Sequence, residues 1–291
     1  MPQTSTTGNL ENAQKIIISA ARYTEEHNAP AMALIESFSL GKGEKQVTVP
    51  KVGQMTMSDL QDGADIIDEE DIGMTTVDLT ASEVGAKVII TDKLLRQSAV
   101  NVMSIIGRQL GDGMARKKDT DVLALYTNLN GGTKLGAATK FMKASNVQGV
   151  IAYAKANKFG NQLYILHHPN AVAYLAKESA TVASSTSAEL SNGWSADRLK
   201  SFWSGLRPMN NVSIFEDGNI TEDSDGDGIG VIADKTAMCV LNSVSTKTER
   251  QRDASLRATE IVMTADYGVF ELDDSRGAGI TFDVTALATN N

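Results

Sequence analysis

The sequence predicts an α+β fold in which an extended two-stranded arm is followed directly by one long helix. Two β-like stretches flank an acidic loop between residues 44 and 90, and apolar residues then recur at helical spacing as far as residue 129. Short strands alternate with helices in the rest of the chain. Because no catalytic motif accompanies the arm and the helix, this arrangement favours assembly with neighbouring subunits over catalysis.

The composition bounds the class of protein. The chain has 291 residues and a net charge of −9, so it can bury a substantial core, and its surface as a whole does not favour nonspecific binding of nucleic acid. It has no run of about 18 apolar residues, which a membrane span requires. Residues 1–14 lack the basic and apolar regions of a signal peptide. The single cysteine, Cys239, excludes an internal disulfide and fits a reducing cytoplasm.

The first predicted element is an amphipathic helix from Leu10 to about Glu26, which ends near Pro30. It either extends from the subunit as an arm or packs on its own domain, and the sequence does not separate these alternatives.

The arm is predicted from two β-like stretches. Glu44 to Val52 alternates valines with polar residues, and Pro50 limits it to an edge or free-standing strand. Met74 to Leu79 and Val84 to Ile90 form the return. The loop between them must be solvated, bind a cation or face a basic partner, and we predict that it contacts a neighbouring subunit. Its acidic residues are Asp59, Asp62, Asp65, Asp68, Glu69, Glu70 and Asp71.

Apolar spacing predicts a single helix from Thr91 to Leu129, about 55 Å long. Thr91 is the predicted N-cap, and Gly131-Gly132 is the predicted stop. The apolar stripe skips one turn near Lys118. Three internal glycines each cost about 1 kcal/mol relative to alanine, so either another backbone crosses closely there or the helix bends. They are the predicted hinge residues: Gly107, Gly111 and Gly113.

The rest of the chain predicts a mixture of helices, short strands and one flexible loop. Pro169 occupies the first position of one helix. The predicted helices are Asn146–Asn157, Asn170–Glu178 and Trp194–Leu206. The predicted strands are Gln162–His168, Val212–Phe215, Ile229–Ala233, Met238–Leu241, Ala254–Thr264 and Tyr267–Leu272. The predicted loop is Thr181–Asn192.

One local motif matches the first half of an EF-hand calcium loop. Asp223, Asp225 and Asp227 alternate ahead of a glycine, and Asp234 stands at the twelfth position. The eighth position is a glycine and the twelfth is not a glutamate, and the flanks are strand-like rather than helical. An exposed acidic hairpin tip is therefore the favoured interpretation, with calcium binding as the alternative.

The other candidate groups carry weak signals. His167 or His168 and Cys239 are the only candidates for a base and a nucleophile, but no nucleophile loop surrounds the cysteine. We therefore predict no enzyme, no catalytic residues, no cofactor and no metal. Two groups of basic residues have two interpretations. They either face packaged nucleic acid or the acidic arm of a neighbour, or they form a solvated helix face and ion pairs within the domain. They are Arg116-Lys117-Lys118, and Arg250, Arg252 and Arg257.

The order of these elements resembles the major capsid proteins of tailed bacteriophages, which have the Hong Kong 97-type fold. The similar segments are MTTVDLTASEVGAKVIITDKLLRQSA, leading into the long helix, and TERQRDASLRATEIVMTADYGVFELDD near the end. The resemblance covers nearly the whole chain and rests on architecture rather than on an invariant motif.

The resemblance implies a division of the chain into an N-terminal arm (1–35), an extended loop (36–90), a peripheral domain with a spine helix (91–143 and 240–291) and an axial domain (144–239). It implies self-assembly as hexamers and pentamers into an icosahedral virion shell enclosing double-stranded DNA, contacted nonspecifically, with assembly in the host bacterial cytoplasm. It also implies a separate scaffolding protein and a portal as partners. A decoration protein is a further possible partner, and no membrane is expected to be involved.

Some relatives crosslink a loop lysine to a neighbour's asparagine. No motif around Lys51, Asn290 or Asn291 supports such a bond, and none is predicted. The alternatives are an encapsulin-like nanocompartment shell protein, a calcium-dependent binding protein built on Asp223–Asp227, and a hydrolase using Cys239 or His167.

Overall fold

The computed structural model describes residues 30–41, 43–52, 73–97, 102–184 and 212–286. The predicted helices at Leu10–Glu26 and Trp194–Leu206 lie outside these ranges. The described helices are α1 (Pro30–Leu34), α2 (Asp92–Gln97), α3 (Val102–Leu125), α4 (Ala144–Ala156) and α5 (Pro169–Ser184). The strands are β1 (Glu36–Ser39), β2 (Gln46–Val52), β3 (Met74–Thr80), β4 (Ser82–Thr91), β5 (Leu135–Gly136), β6 (Leu163–His167), β7 (Ser213–Glu216), β8 (Asp227–Asp234), β9 (Met238–Asp253), β10 (Ala258–Glu271) and β11 (Gly277–Asp283).

The first sheet has four strands in the order β1-β9-β10-β4. β10 pairs antiparallel with both β9 and β4, and β1 pairs parallel with β9. Alternate residues of β10 face a helix, because successive side chains of a strand point to opposite sides. These residues are Ile261, Met263, Ala265 and Tyr267, and all are buried. The predicted start of this strand at Ala254 is wrong: residues 254–257 form a turn, and Arg257 has a φ of 48°.

The second sheet has five strands in the order β5-β11-β8-β6-β7 and is buried on both faces. Along β6, Leu163 and Ile165 contact α4 and α5 on one side, whereas Tyr164 and Leu166 contact α3 and α1 on the other. This two-sided burial explains the nearly continuous apolar run LYILH, which predicted a buried strand correctly.

The third unit is a two-stranded hairpin, β2–β3, whose register runs from Gln46 opposite Thr80 to Val52 opposite Met74. The predicted pairing of these two segments is confirmed. The predicted return, however, divides at Ala81, because β4 pairs with β10 in the first sheet instead of with the arm.

The predicted 91–129 helix is described as two helices with residues 98–101 outside the described ranges. The Thr91 Oγ1 accepts a hydrogen bond from the Leu94 N–H at 3.4 Å, which confirms the predicted N-cap. α3 ends at Leu125 rather than Leu129, and its 24 residues span about 36 Å. Turns follow through Gly131 and Gly132, which both have positive φ and end the helical path where predicted.

Of the two helices that cover the second sheet, α5 begins as predicted and α4 begins two residues before its predicted start at Asn146. α4 contains most of the predicted segment, and α5 begins at Pro169. α5 continues to Ser184, so the first residues of the predicted 181–192 loop are helical. The alanines in this stretch favour the longer helix. In the described ranges, none of the helices combines the length and apolar character that crossing a membrane requires.

α3 joins the two sheets. Its first half places Ile106, Leu110 and Met114 against the first sheet. Val122 in its last turns, and Tyr126 directly after its end, lie against the second sheet. The helix therefore fixes how the two sheets are held within the subunit.

Candidate assembly surfaces and a buried carboxylate pair

The far end of the β2–β3 hairpin is exposed. Val52 and Met74 face each other across its last pair and are 58% and 63% exposed, which is unusual for large apolar side chains. Residues 53–72 connect these two positions along the chain. The predicted acidic contact residues, Asp59 to Asp71, belong to that segment and lie outside the described residues.

The base of the hairpin is anchored to its own subunit. Leu79 is fully buried against Cys239 and Leu241 of β9. Gly268 of β10 lies so close to the Thr80 carbonyl that a Cβ at this position would collide with it. The hairpin thus has a fixed base and an open tip.

Lys51 ties the outer part of the hairpin to the body of the subunit. Its Nζ lies 2.6 Å from Oδ1 of Asp273, and the two side chains are 44% and 14% exposed. Partial burial alone would raise the pKa of Asp273, but hydrogen bonds from Lys51 and Ser275 outweigh it and lower the pKa. The side chain of Lys51 is therefore used in an ion pair, and Asn290 and Asn291 lie outside the described residues.

The three glycines predicted as a hinge have different surroundings. Gly107 and Gly111 are buried, whereas Gly113 is exposed and a Cβ there would have no neighbour within 4 Å. α3 is continuous through all three. Burial at the first two positions fits a close approach by other parts of the subunit, and bending stays a prediction.

Several of the basic residues pair inside the subunit. Lys118 is buried, with its Nζ 5.5 Å from the ring centroid of Tyr267, and Lys117 lies 2.6 Å from Asp121. Arg252 holds Asp92 with two hydrogen bonds of 2.9 and 2.8 Å. These contacts support the interpretation of intradomain pairing for these three residues.

A carboxylate pair that the sequence analysis did not single out lies where α1, α3 and the turn after β7 meet. Asp119 is completely buried and Asp217 is 2% exposed. Burial and the neighbouring Asp217 raise the pKa of Asp119 to about 7, since both disfavour its ionised form. The sequence signal for this pair is the turn that the apolar stripe of the long helix skips. Lys118 and Asp119 occupy that turn, and both are buried.

A family model described as phage capsid protein matches residues 75–280. The chain belongs to the phage capsid protein family. The match includes α3, three of the four strands of the first sheet and nearly all of the second sheet, so it covers most of the elements that build the body of the subunit. No curated protein sequence matches this capsid protein.

Solved structures show the same fold. The capsid of Ralstonia phage GP4 has a TM-score of 0.63 and 14% identity, with 89% of this chain and 88% of that chain covered. A structure from Mycobacterium phage Che8 has a TM-score of 0.60 and 16% identity, with 84% and 86% covered. A virus-like particle from Pyrococcus furiosus has a TM-score of 0.59 and 8% identity, with 91% and 97% covered. The capsid protein therefore has the predicted Hong Kong 97-type fold.

The calcium-like motif of the capsid protein does not form one site. Asp227 and Asp234 lie at opposite ends of β8, roughly 23 Å apart along an extended strand. Both are buried, Asp227 accepts the Thr139 N–H and Asp234 accepts the Gln162 N–H. Asp223 accepts the N–H groups of Asp225 and Asp227 in a tight turn. Among the described residues, no group of three acidic, histidine or cysteine side chains is placed to hold a metal.

The prediction of an exposed acidic hairpin tip is confirmed for the turn, where Asp223 and Asp225 are exposed and Glu222 pairs antiparallel with Gly228. It is wrong in two other respects. Asp227 is buried, and the strands on either side are not partners, because β6 lies between β7 and β8. The tight turn itself is present, with Gly226 at a φ of 85°.

The candidate base and nucleophile are on different sheets. Cys239 lies in β9, and burial raises the pKa of its thiol to about 12. His167 lies in β6, and burial lowers the pKa of its imidazole to about 4. A thiol with a raised pKa is a poor nucleophile. Neither residue is in a chemically activated setting.

Proposed function

We propose that this capsid protein assembles as hexamers and pentamers into an icosahedral shell that encloses double-stranded DNA. Its role is structural rather than enzymatic, and its place is the virion. The observation that carries the proposal is the β2–β3 hairpin of a capsid-family subunit, anchored at its base and uncovered at its apolar tip. An uncovered apolar pair at the end of a two-stranded ribbon is a site at which another chain can pack.

The hairpin reaches a neighbouring subunit in this proposal. Val52 and Met74 at its tip supply apolar contact area. The acidic residues of segment 53–72 supply charge that a basic surface of the neighbour would pair with, through interactions that weaken with salt. Each contact is modest, and the strength of the shell comes from the sum of many interfaces.

In this proposal, the subunit has the predicted domain organisation. Residues 1–35 are the N-terminal arm, 36–90 the extended loop, 91–143 with 240–291 the peripheral domain, and 144–239 the axial domain. A scaffolding protein and a portal assist assembly in the host bacterial cytoplasm, and a decoration protein is a further partner. Contacts with packaged DNA are nonspecific.

Electron microscopy of the expressed full-length chain, with and without a co-expressed scaffolding protein, tests the proposal. We expect closed shells of uniform diameter built from rings of five and six subunits. Only monomers or amorphous aggregates under both conditions would contradict it.

The second candidate is a nanocompartment shell with a protein cargo. The observation behind this alternative is the fold match to the Pyrococcus furiosus virus-like particle over 91% of this chain. Nuclease-protected DNA inside purified particles supports the capsid proposal. A stoichiometric cargo protein in particles without DNA supports the alternative.

A further inference from the structure

The buried carboxyl of Asp119 connects three separate parts of the subunit. Its Oδ1 accepts the backbone N–H of Ala31 in α1 at 3.2 Å. Its Oδ2 accepts Nδ2 of Asn219, in the turn after β7, at 2.9 Å. Asp119 itself belongs to α3, so its two oxygens hold α1 and the turn against this helix.

The neighbouring carboxyl of Asp217 is only partly satisfied. Its Oδ1 accepts the Asn219 N–H at 2.8 Å, and its backbone N–H donates to the His167 carbonyl at 3.0 Å. Its Oδ2 is buried and has no hydrogen-bond partner in the described structure. Buried carboxylate oxygens rarely stay without a donor, because the cost of losing water is then uncompensated.

The two carboxyls are brought together by Asn219, whose side-chain amide donates to Asp119 and whose backbone N–H donates to Asp217, and each carboxyl acts directly on the other. If both were ionised they would repel in a buried setting, as like charges that share a site do. A proton on Asp119 removes this repulsion and supplies the donor that Oδ2 of Asp217 lacks.

We propose that Asp119 and Asp217 share one proton, and that the resulting hydrogen bond is a pH-sensitive clasp joining α1, α3 and the turn after β7. This clasp includes no residue of the β2–β3 hairpin, and its operation does not depend on the proposed function. With the proton present, all four carboxyl oxygens have partners. Without it, two negative charges face each other inside the subunit.

Among the described residues, the charged and titratable groups around the pair come from α3 and the second sheet. The sequence of α1, PAMAL, carries no charge. On α3, the buried Lys118 directs its Nζ to the Tyr267 ring. The hydroxyls of Tyr126 and Tyr164 are buried. Burial raises their pKa values, because it disfavours the ionised forms.

A cleft of about 420 Å³ connects this region to solvent. Its lining comes from α3, the end of β7, the turn that follows and the first residue of α1, and it includes Pro30, Asp112, Arg116, Glu216, Asp217 and Asn219. Arg116 is the one basic side chain in this lining, and Asp112 and Glu216 add acidic charge beside it. The cleft gives protons and water a path to the clasp.

The raised pKa of Asp119 sets the direction of the pH effect. Its folded value is about 7, against 3.8 for an unperturbed group. The folded protein therefore binds a proton that the unfolded chain has released throughout this interval. The stabilising contribution is fully present below about pH 4 and is lost as the pH rises to about 7. Above that it stays constant.

The clasp links parts of the subunit that the proposed domain division assigns to different units. α1 belongs to residues 1–35, α3 to the spine, and Asp217 to the axial domain. Protonation thus tightens the junction of these three units, and deprotonation loosens it.

The test uses the full-length chain and Asp119→Asn, which keeps an acceptor for Ala31 and can donate to Asp217 without a titrating proton. Thermal unfolding is measured from pH 4.5 to 8. We expect the melting temperature of the wild type to fall relative to Asp119→Asn by on the order of 5 °C between pH 4.5 and 7.5. His167, which titrates at low pH, contributes equally to both proteins.

Infrared spectroscopy supplies an independent readout. A protonated-carboxyl band should be present in the wild type at pH 5.5, disappear by pH 8.5, be absent from Asp119→Asn, and titrate at lower pH in Asp217→Asn, where burial alone raises the pKa of Asp119. The control is Asp112→Asn, on the same side of α3 but at the cleft, which should behave like the wild type. Parallel melting profiles together with an unchanged carboxyl band in Asp119→Asn would overturn the proposal. If Asp119→Asn does not fold, Asp217→Asn replaces it, and a carboxyl band that titrates at the same pH as in the wild type would then overturn the proposal.

Discussion

The β2–β3 hairpin and the five-stranded sheet use similar apolar residues for opposite purposes. In the sheet, every residue of β6 is buried, and successive side chains point alternately into the two hydrophobic cores on the two faces of the sheet. In the hairpin, Leu79 at the base is buried, but Val52 and Met74 at the tip are exposed. The sheet therefore holds the subunit together, and the hairpin keeps apolar surface available for another molecule. β-propensity alone does not distinguish these uses, because it reflects what a strand packs against.

The largest expected effect compares one truncation in each region. Leu166→Ala removes a fully buried side chain from β6 and should lower the free energy of unfolding by about 2–5 kcal/mol. Val52→Ala at the exposed tip should change it by no more than about 0.5 kcal/mol. Denaturant unfolding of the unassembled subunit measures both. Equal costs would show that the tip is as important to the fold as the sheet.

Substitutions in the first half of α3 should affect assembly more than secondary structure. We expect Gly107→Leu and Gly111→Leu to retain helical circular dichroism but to lose most of the particle yield, because both positions are buried. Gly113→Leu, at an exposed position with open space, is the matched control and should retain most of the yield. Wild-type yield from both buried variants would contradict the hinge prediction.

Charge at the hairpin tip should separate folding from assembly. The double variant Val52→Asp and Met74→Asp should remain a folded subunit while particle yield falls at least several-fold, because buried interfaces exclude unpaired charge. Thr75→Asp adds charge to the same exposed strand without removing apolar area, and it should have a smaller effect. Chromatography and microscopy measure the yields. Equal yields from wild type and double variant would show that the tip contacts nothing.

The smallest expected effect concerns the ion pair that links the two regions. Lys51→Ala removes the contact with Asp273, and exposed pairs of this kind contribute about 1 kcal/mol or less. The loss should shrink further at high salt. A cost above about 2 kcal/mol, independent of salt, would mean that Lys51 anchors the hairpin more firmly than a surface pair can.

Local patterns in the sequence predicted the elements whose environment is uniform. The run LYILH predicted a buried strand, Pro169 predicted a helix start, and the valine alternation predicted the arm. The partners of these elements were harder to predict. β4 follows β3 after a single residue yet pairs with β10, and β7 and β8 are separated by β6. Such pairings join residues far apart in sequence, and no local pattern records them.

The candidate site shows the same limit. Asp119 interrupts an apolar stripe, and the interruption was visible as a skipped turn. Its meaning depended on Asp217, which lies 98 residues later and comes beside it only in the fold. The EF-hand-like spacing of Asp223 to Asp234 was clear in sequence, but a strand separates its last two carboxylates. Spacing predicts a ligand set only when the backbone between the ligands is curved as the motif requires.

The central claim is that the hairpin is an intersubunit contact of a shell-forming capsid protein. A density map of the assembled particle at a resolution that shows side chains tests it most directly. We predict Val52 and Met74 buried against an adjacent subunit in both hexamers and pentamers. A particle in which both side chains remain in solvent, with no neighbour along the hairpin, would contradict the claim.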